Sequence, residues 1–206
     1  MITVIAGVNG AGKSSVAGAN IRQAGGEYFN PDEVARKLRD EDPTLSQLES
    51  NAQAWKMGYD YLVDAITQDI DYTFETTLGG SSITQLLHNA IKNGVQVRIF
   101  YCGLSSAELH IERVRYRVSK GGHNISEAKI RQRYTSSIHN MMTLLPDCYQ
   151  VDVIDNSSSL INSKPAIKKL FTVKSGKIQI LEQDMPDWAK PLATMGLKTF
   201  SLFKSD

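Results

Sequence analysis

Short apolar runs alternate with longer amphipathic stretches along most of the chain. The short runs are rich in β-branched and aromatic residues, as strands are, and they cover residues 2–6, 28–30, 71–77, 95–103 and 149–154. Between them, apolar residues recur at helical spacing, which predicts helices over about residues 13–24, 32–38, 45–68, 81–93, 106–119 and 126–145. Strands that alternate with helices are typical of a parallel sheet covered by helices. The sequence therefore predicts an α/β fold with a five-stranded, mostly parallel sheet between helices.

The C-terminal part of the chain has a different pattern. Residues 170–181, broken by a Ser-Gly pair, alternate as the two strands of a β-hairpin do. Residues 187–197 predict a short helix. We therefore divide the chain into a core of residues 1–160 and a small C-terminal appendage of residues 161–206 that packs on the core.

Composition and charge narrow the class of protein. The chain has 206 residues, of which 41% are hydrophobic and 22% are charged, and its formal net charge is +1. These values are typical of a globular protein with a sizeable core, and they give no reason to expect a nucleic-acid or membrane partner. Cys102 and Cys148 lie in or beside apolar runs, which favours reduced, buried thiols. Since the sequence shows neither a signal peptide nor a membrane-spanning stretch, we expect a cytoplasmic protein.

Residues 7–14 read Gly-Val-Asn-Gly-Ala-Gly-Lys-Ser and match the phosphate-binding pattern G-x-x-x-x-G-K-[ST] at every fixed position. Glycines let backbone N–H groups close around phosphate oxygens, and the following helix presents its positive end to the same anion. We expect Lys13 to reach the β- and γ-phosphates of ATP and the Ser14 hydroxyl to ligate Mg²⁺. The pattern predicts a P-loop NTPase fold; a glycine-rich turn without a ligand is the alternative. The predicted nucleotide-binding residues of this loop are Gly7, Asn9, Gly10, Ala11, Gly12, Lys13, Ser14 and Ser15.

Two carboxylates follow strands that neighbour the loop in the chain. Asp32 follows the predicted second strand, and Glu75 ends the third. Because the carboxyl ends of parallel strands meet at one edge of a sheet, both should lie on the same edge as the P-loop. A kinase needs a carboxylate that orients the acceptor hydroxyl and takes its proton, which suits Asp32, although a helix N-cap would also suit it. Glu75 could bind substrate or metal, or be a solvated strand end.

Arginines cluster on both sides of a Gly-Gly-His break between two predicted helices. Arg113 and Arg117 share a face of the helix before the break, and Arg131 and Arg133 lie in the first turns of the helix after it. Arginine offsets the charge on a phosphoryl group during transfer. The arrangement is typical of a mobile lid, here around residues 113–133, that closes over phosphates. The alternative is a solvated basic face.

Further motifs occur in the same order along the chain as those of a known family. They are Gly7 to Ser14, Asn30-Pro31-Asp32-Glu33, Phe74-Glu75-Thr76-Thr77, the break from Arg117 to Gly121-Gly122-His123 with Arg133-Tyr134 beyond it, and Asp155-Asn156-Ser157. This combination resembles the zeta toxin family of P-loop kinases over residues 1 to about 160. The Gly-Gly-His break and the Asn-Pro-Asp segment resemble a shorter branch of that family more than its cell-wall toxins.

The resemblance implies an ATP-dependent kinase that phosphorylates a hydroxyl of a small molecule, such as UDP-N-acetylglucosamine or a related sugar nucleotide. By position, it implies that Asp32 is the catalytic base and that the phosphates are held by Lys13, Arg117 and Arg133. Asn156 and Ser157 would lie near the adenine. The implied substrate contacts are Asn30, Glu75, Thr76, Thr77 and His123. An antitoxin polypeptide is implied as a partner by the resemblance alone.

Two other functions fit the same motifs. One is a kinase for an unrelated metabolite, a nucleoside or an antibiotic, in which only the acceptor pocket would differ. The other is an ATP-dependent binding or regulatory module with weak hydrolysis. Asp32 discriminates between a kinase and such a module, because only a kinase needs a base that faces an acceptor pocket.

Overall fold

The computed structural model describes residues 1–158 and 167–202. Its strands are β1 (Ile2–Ala6), β2 (Tyr72–Thr76), β3 (Val97–Gly103), β4 (Gln150–Asp155), β5 (Lys168–Lys174), β6 (Lys177–Ile180) and β7 (Ser201–Leu202). They form one sheet in the order β2-β1-β3-β4-β5-β6-β7. A π-helical turn, Ser14–Gly18, leads into α1 (Ala19–Gln23), and a 3-10 turn, Leu145–Asp147, follows α6. The remaining helices are α2 (Pro31–Glu41), α3 (Gln47–Thr67), α4 (Ser81–Lys92), α5 (Ala107–Ser119), α6 (Glu127–Leu144) and α7 (Lys190–Thr199).

β1 lies inside the parallel part of the sheet. It pairs in parallel with β2 on one side and with β3 on the other, and β3 pairs in parallel with β4. Ala6, the last residue of β1, lies opposite Thr76 of β2 and Tyr101 of β3. The carboxyl ends of the four strands therefore reach the same edge of the sheet. The predicted α/β class, with a mostly parallel sheet, is confirmed.

The described residues form seven strands, whereas the sequence predicted five. Within residues 28–30, only Phe29 pairs with the sheet, through a bridge to Phe74 of β2. Two glycines precede this segment and Pro31 follows it, and proline has no N–H to continue a ladder. The predicted hairpin is present as β5 and β6, but it continues the main sheet, since β5 pairs antiparallel with β4. β7 then pairs in parallel with β6.

The main hydrophobic core runs along the sheet and under the long helices. Its fully buried residues include Val4 and Ile99 from the strands, Leu62 from α3, Leu87 from α4 and Met141 from α6. The two cysteines are buried free thiols, as the sequence predicted. Burial raises the pKa of both thiols to about 12, so neither ionises near neutral pH.

Local sequence determines where several helices begin. Asn30 caps α2, because its side-chain oxygen accepts a hydrogen bond from the Asp32 N–H, and a proline occupies the first turn. Ser46 and Glu49 cap α3 reciprocally, and Ser106 caps α5. In residues 1–158 and 167–202, no helix combines the length and apolar character that a bilayer-spanning segment requires.

Trp188, which precedes α7, attaches the C-terminal segment to the parallel strands. Its side chain is 5% exposed, its ring centroid lies 6.1 Å from that of Tyr101, and its Nε1 donates to Asp155 Oδ1 at 3.0 Å. A Cβ on Gly103 would lie 2.3 Å from the indole, so the ring packs directly on the backbone of β3. The indole thus joins the C-terminal segment to β3 by packing and to β4 by a hydrogen bond.

We expect Trp188→Ala to lower the free energy of unfolding by about 3–5 kcal/mol, because it leaves a cavity beside β3 and removes the donor to Asp155. Urea unfolding followed by circular dichroism measures this loss. Trp55→Ala is the matched control, since Trp55 is 50% exposed, and it should change stability by less than about 1 kcal/mol. Equal losses in the two variants would contradict the packing described for Trp188.

Candidate functional site

Glycines shape the loop between β1 and the π-helical turn. Gly7 has a φ of +142° and Gly12 a φ of +88°, a region that other residues rarely adopt. A Cβ on Gly7 would lie 2.2 Å from the carbonyl oxygen of Cys102, and one on Gly12 would lie 2.4 Å from Asn156 Nδ2. Only glycine fits at either position, because β3 and the segment after β4 press against the loop.

Side chains from other elements hold the loop in shape. The Asn9 carbonyl accepts a hydrogen bond from His110 Nδ1 at 2.9 Å, and Asn9 Oδ1 accepts one from Arg133 at 2.7 Å. The Ala11 carbonyl accepts a hydrogen bond from Asn156 Nδ2 at 2.8 Å. The loop is therefore fixed from α5, from α6 and from the end of β4.

Lys13 and Ser14 both contact Glu75. Lys13 Nζ lies 3.4 Å from Glu75 Oε1, and the Ser14 hydroxyl donates to Glu75 Oε2 at 2.7 Å. The Lys13 and Glu75 side chains are 6% and 9% exposed, so each charge depends on the other for compensation. Asn30 Nδ2 lies 3.4 Å from the same hydroxyl. The predicted phosphate-binding loop and the Glu75 carboxylate, one residue before the end of β2, are thus brought together.

Asp32 lies apart from this cluster, in the first turn of α2. Its carboxylate is 39% exposed, 3.6 Å from Arg117 NH1 and 3.7 Å from His123 Nε2. Burial, more than any neighbouring charge, lowers the pKa of His123, although Asp32 opposes the change. The lowered pKa favours the neutral form of His123 at pH 7, and Arg117 supplies a positive charge beside Asp32.

A cavity of about 700 Å³ opens beside Asp32. The predicted site residues that line it are Asn9, Asp32, Glu75, Thr76, Thr77, His123 and Arg133. The hydroxyls of Thr76 and Thr77 accept hydrogen bonds from the N–H groups of Leu78 and Gly79, which shapes the turn after β2. Both carboxylates thus border a single space large enough for a small molecule.

The four candidate lid arginines have different surroundings. Arg117 contacts Asp32, and Arg133 contacts Asn9. Arg113 donates to the carbonyl oxygens of Asn156 and Ser158 at 2.6 and 3.2 Å. Arg131 forms an exposed ion pair with Glu108. Of the two arginines that competed for a phosphate role in the sequence, Arg131 therefore lies on the outer surface, whereas Arg113 lies beside the segment after β4.

The two residues that the resemblance placed near an adenine, Asn156 and Ser157, follow β4 and contact the loop and the segment after β3. Asn156 is 3% exposed and bonds the loop backbone, and neither it nor Ser157 lines the described cavity. The Ser157 hydroxyl accepts from the Ser105 N–H at 2.7 Å and donates to Asp155. The Ser15 hydroxyl donates to the Gly12 carbonyl at 3.0 Å.

His110 is a supporting residue whose role the sequence did not identify. Its side chain is 1% exposed, and its ring edge packs against Tyr134 of α6. Because a carbonyl can only accept, Nδ1 carries the proton in the contact with Asn9. Burial lowers the pKa of His110 to about 4, with the charges of Lys13 and Arg113 acting in the same direction. The only sequence signal for this contact was its position one helical turn before Arg113.

We expect the protein to lose stability as the pH falls from about 6.5 towards 4, since the unfolded chain protonates His110 near pH 6.5 and the folded chain does not. Between pH 7 and pH 5 this residue should account for about 2 kcal/mol of lost unfolding free energy. Urea midpoints across that pH range measure it. His110→Gln should flatten the dependence, whereas exposed His139→Gln should retain it; identical curves for wild type and His110→Gln would refute the assignment.

Solved structures with the same fold are distant in sequence. The AvrRxo1-ORF1:AvrRxo1-ORF2 complex with sulphate ions aligns with a TM-score of 0.67 at 12% identity, over 95% of this chain and 63% of that chain. The same complex with ATP gives 0.67 at 13% identity, over 100% and 66%. A structure of the PezAT chromosomal toxin-antitoxin system of Streptococcus pneumoniae gives 0.50 at 14% identity, over 74% and 65%. The chain therefore spans slightly less than two thirds of the length of these relatives, and the likeness establishes a shared fold.

Two closer matches concern the sequence itself. An uncharacterized protein of Haemophilus influenzae is 33% identical over 128 residues, which are 62% of this chain and 88% of that protein. The family model AAA_33, described as an AAA domain, matches residues 2–136. That range contains the phosphate-binding loop, Asp32, Glu75 and the arginines of α5 and α6. The chain therefore belongs to the AAA_33 family of AAA domains and has a P-loop kinase-like fold.

Proposed function

We propose that this protein is an ATP-dependent phosphotransferase that transfers the γ-phosphoryl group to a hydroxyl of a small molecule. The observation that carries the proposal is that two carboxylates border one cavity, one in contact with the phosphate loop and the other apart from it. Glu75 contacts Lys13 and Ser14 of the phosphate loop, whereas Asp32 contacts Arg117 and His123 away from that loop. A nucleotide-dependent switch needs only the first arrangement, while a kinase needs both.

ATP would bind with its phosphates in the loop of residues 7–14. The loop backbone would donate to the phosphates and Lys13 would contact the β- and γ-phosphates, while Asn156 and Ser157 would lie on the adenine side. The ATP present in the AvrRxo1-ORF1:-ORF2 structure supports this nucleotide. Arg113, which is anchored on the carbonyl oxygens of Asn156 and Ser158, would fix α5 against that side.

The oxygen donors around Ser14 fit Mg²⁺. The Ser14 hydroxyl and a Glu75 carboxylate oxygen lie 2.7 Å apart, and Mg²⁺ prefers such oxygens together with substrate phosphates. We therefore assign Glu75 to the metal side of the site, one of the two roles that its sequence position allowed. When bound, the ion would neutralise charge on the β- and γ-phosphates.

The transfer itself would use Asp32, Arg117 and Arg133. The acceptor hydroxyl oxygen would attack the γ-phosphorus, the bond from that phosphorus to the β–γ bridging oxygen would break, and ADP would leave. Asp32 would orient the hydroxyl and take its proton. Arg117 and Arg133, from the two helices of the lid, would offset charge on the moving phosphoryl group. Neutral His123 would contact the acceptor beside Asp32.

The finer parts of the proposal rest on the zeta toxin resemblance. It favours UDP-N-acetylglucosamine or a related sugar nucleotide as the acceptor, with substrate contacts from Asn30, Thr76 and Thr77. An antitoxin partner is proposed on the same ground, and the two-protein AvrRxo1 complex and the PezAT toxin-antitoxin system support it. The residues that would carry transfer do not depend on which acceptor is correct.

We expect Asp32→Asn to lower kcat by at least about 100-fold, because the variant can still orient a hydroxyl but cannot take its proton. Coupled measurement of ADP release with an acceptor panel that includes UDP-N-acetylglucosamine gives kcat, and calorimetry gives the ATP affinity, which should stay within about twofold of wild type. Asp40→Asn changes an exposed carboxylate of the same helix and serves as the control. Transfer at near wild-type rates in Asp32→Asn would show that the base is another group.

We expect Glu75→Gln to weaken the apparent Mg²⁺ affinity by about 10- to 100-fold, because the amide cannot balance the ion and Lys13 as a carboxylate does. Titration of Mg²⁺ at saturating ATP and acceptor measures this shift. The acceptor KM should stay near wild type, and the exposed control Glu112→Gln should change neither quantity. A raised acceptor KM with unchanged Mg²⁺ dependence would instead return Glu75 to the substrate side.

A further inference from the structure

One face of α3 forms an apolar wall of the cavity that Asp32 borders. Leu48, Ala52, Trp55 and Tyr59 follow one another at helical spacing and all line this space. Trp55 is 50% exposed, whereas the other tryptophan, Trp188, is 5% exposed. A single exposed apolar residue needs no explanation. An indole that stands in the wall of a cavity shared with the candidate base does.

Trp55 packs against another aromatic residue of α3. Its ring stacks on Tyr59, with centroids 5.3 Å apart and an interplanar angle of 23°, and Tyr59 packs on the main core. A Cβ on Gly58 would lie 2.6 Å from the ring of Phe29, so α3 sits tightly against the sheet edge at this point. Tyr59 therefore backs the indole, while half of the Trp55 side chain stays exposed.

The rest of the lining mixes polar side chains with further apolar ones, which are Phe29, Phe74, Leu78, Ile83 and Ile125. Lys129, Gln132 and Arg133 line the cavity from α6, and Asp32 and His123 line it as well. A volume of about 700 Å³ is in the range of small-molecule sites. A ligand with one flat apolar face and hydroxyl or other polar groups elsewhere matches this distribution of surfaces.

We propose that Trp55, backed by Tyr59, is the platform on which the phosphoryl acceptor stacks, and that the acceptor is a ring compound that carries its reactive hydroxyl beside the ring. The inference rests on the proposed transferase function and specifies its substrate class. Two kinds of ring offer the required face, a planar heteroaromatic base and the apolar face of a sugar. The occupant is a small molecule because the same cavity holds Asp32 and Arg133, which the transfer uses.

Steady-state kinetics test the platform. The acceptors are uridine, N-acetylglucosamine, UDP-N-acetylglucosamine and open-chain sorbitol, which represent a nucleoside, a free sugar, the two joined by a diphosphate, and a compound with no ring. We expect transfer to at least one ring compound and none to sorbitol. Trp55→Ala should raise the KM of that acceptor roughly tenfold, the typical cost of losing one stacking contact, with the KM for ATP within about twofold. Trp55→Phe should keep most of the affinity.

The matched control is Tyr149→Ala, which removes an exposed aromatic ring beside the amino end of β4, at the opposite edge of the sheet. It should leave all the kinetic constants near wild type. Efficient transfer to sorbitol, or an unchanged acceptor KM in Trp55→Ala, would overturn the platform while leaving the transferase proposal intact.

Fluorescence separates the two proposals, because it detects binding without transfer. In Asp32→Asn protein with MgATP, an acceptor ring on Trp55 should protect the exposed indole from acrylamide quenching, while buried Trp188 contributes little to the change. Protection by a ring compound, when wild type phosphorylates none of the three, would support the platform and contradict the transferase. Absence of protection by any of the three ring compounds would overturn the platform, as would protection obtained only with a bound polypeptide.

Discussion

Lys13 and Glu75 place opposite charges 3.4 Å apart where each side chain is less than a tenth exposed. Either charge left alone in such surroundings would destabilise the fold strongly. Their pairing requires β1 and β2 to be adjacent and parallel, because Lys13 lies in the loop after β1 and Glu75 lies one residue before the end of β2. The order of the strands, the close approach of Gly7 to Cys102 and the position of the Ser14 hydroxyl therefore depend on one another. In the proposed reaction, nucleotide phosphates join Glu75 as counter-charges of Lys13.

Asn30 connects this buried pair with the exposed carboxylate of Asp32. Its amide nitrogen lies within hydrogen-bonding distance of Ser14 and Glu33, and its oxygen accepts the Asp32 N–H that starts α2. A helix cap, which is a local feature of folding, thus also helps to set the distance between Glu75 and Asp32, the carboxylates of the proposed metal and acceptor sides. The Asn30-Pro31-Asp32 segment, which reads in the sequence as an ordinary turn, therefore connects the two parts of the site.

Much of this arrangement follows from sequence alone, because glycine spacing and strand ends are local properties. The loop of residues 7–14, the α/β class and the convergence of Asp32 and Glu75 on one edge were all predictable. The prediction of a strand over residues 28–30 was wrong, because the two glycines before it and Pro31 after it leave Phe29 as the one residue of this segment that pairs with the sheet. Apolar spacing predicted α3 but not its buried face, which consists of Ser50, Ala54, Gly58, Leu62 and Ala65. Small residues there reflect close approach to the sheet, and close approach is a tertiary property. The different surroundings of Arg113, Arg117 and Arg131 depend likewise on neighbours distant in the chain.

Phe29 forms a single rung against β2: its N–H donates to the Thr73 carbonyl and its carbonyl accepts from the Glu75 N–H, both at 2.8 Å. The backbone of Glu75 thus holds Phe29, and Asp32 follows Phe29 three residues later in the chain. The separation of Glu75 and Asp32 is a property of main-chain geometry, and the side chains of α3 and α6 that line the cavity do not set it. Related proteins can therefore diverge in the lining of this pocket, and so in what they accept, without disturbing the spacing on which the chemistry would depend.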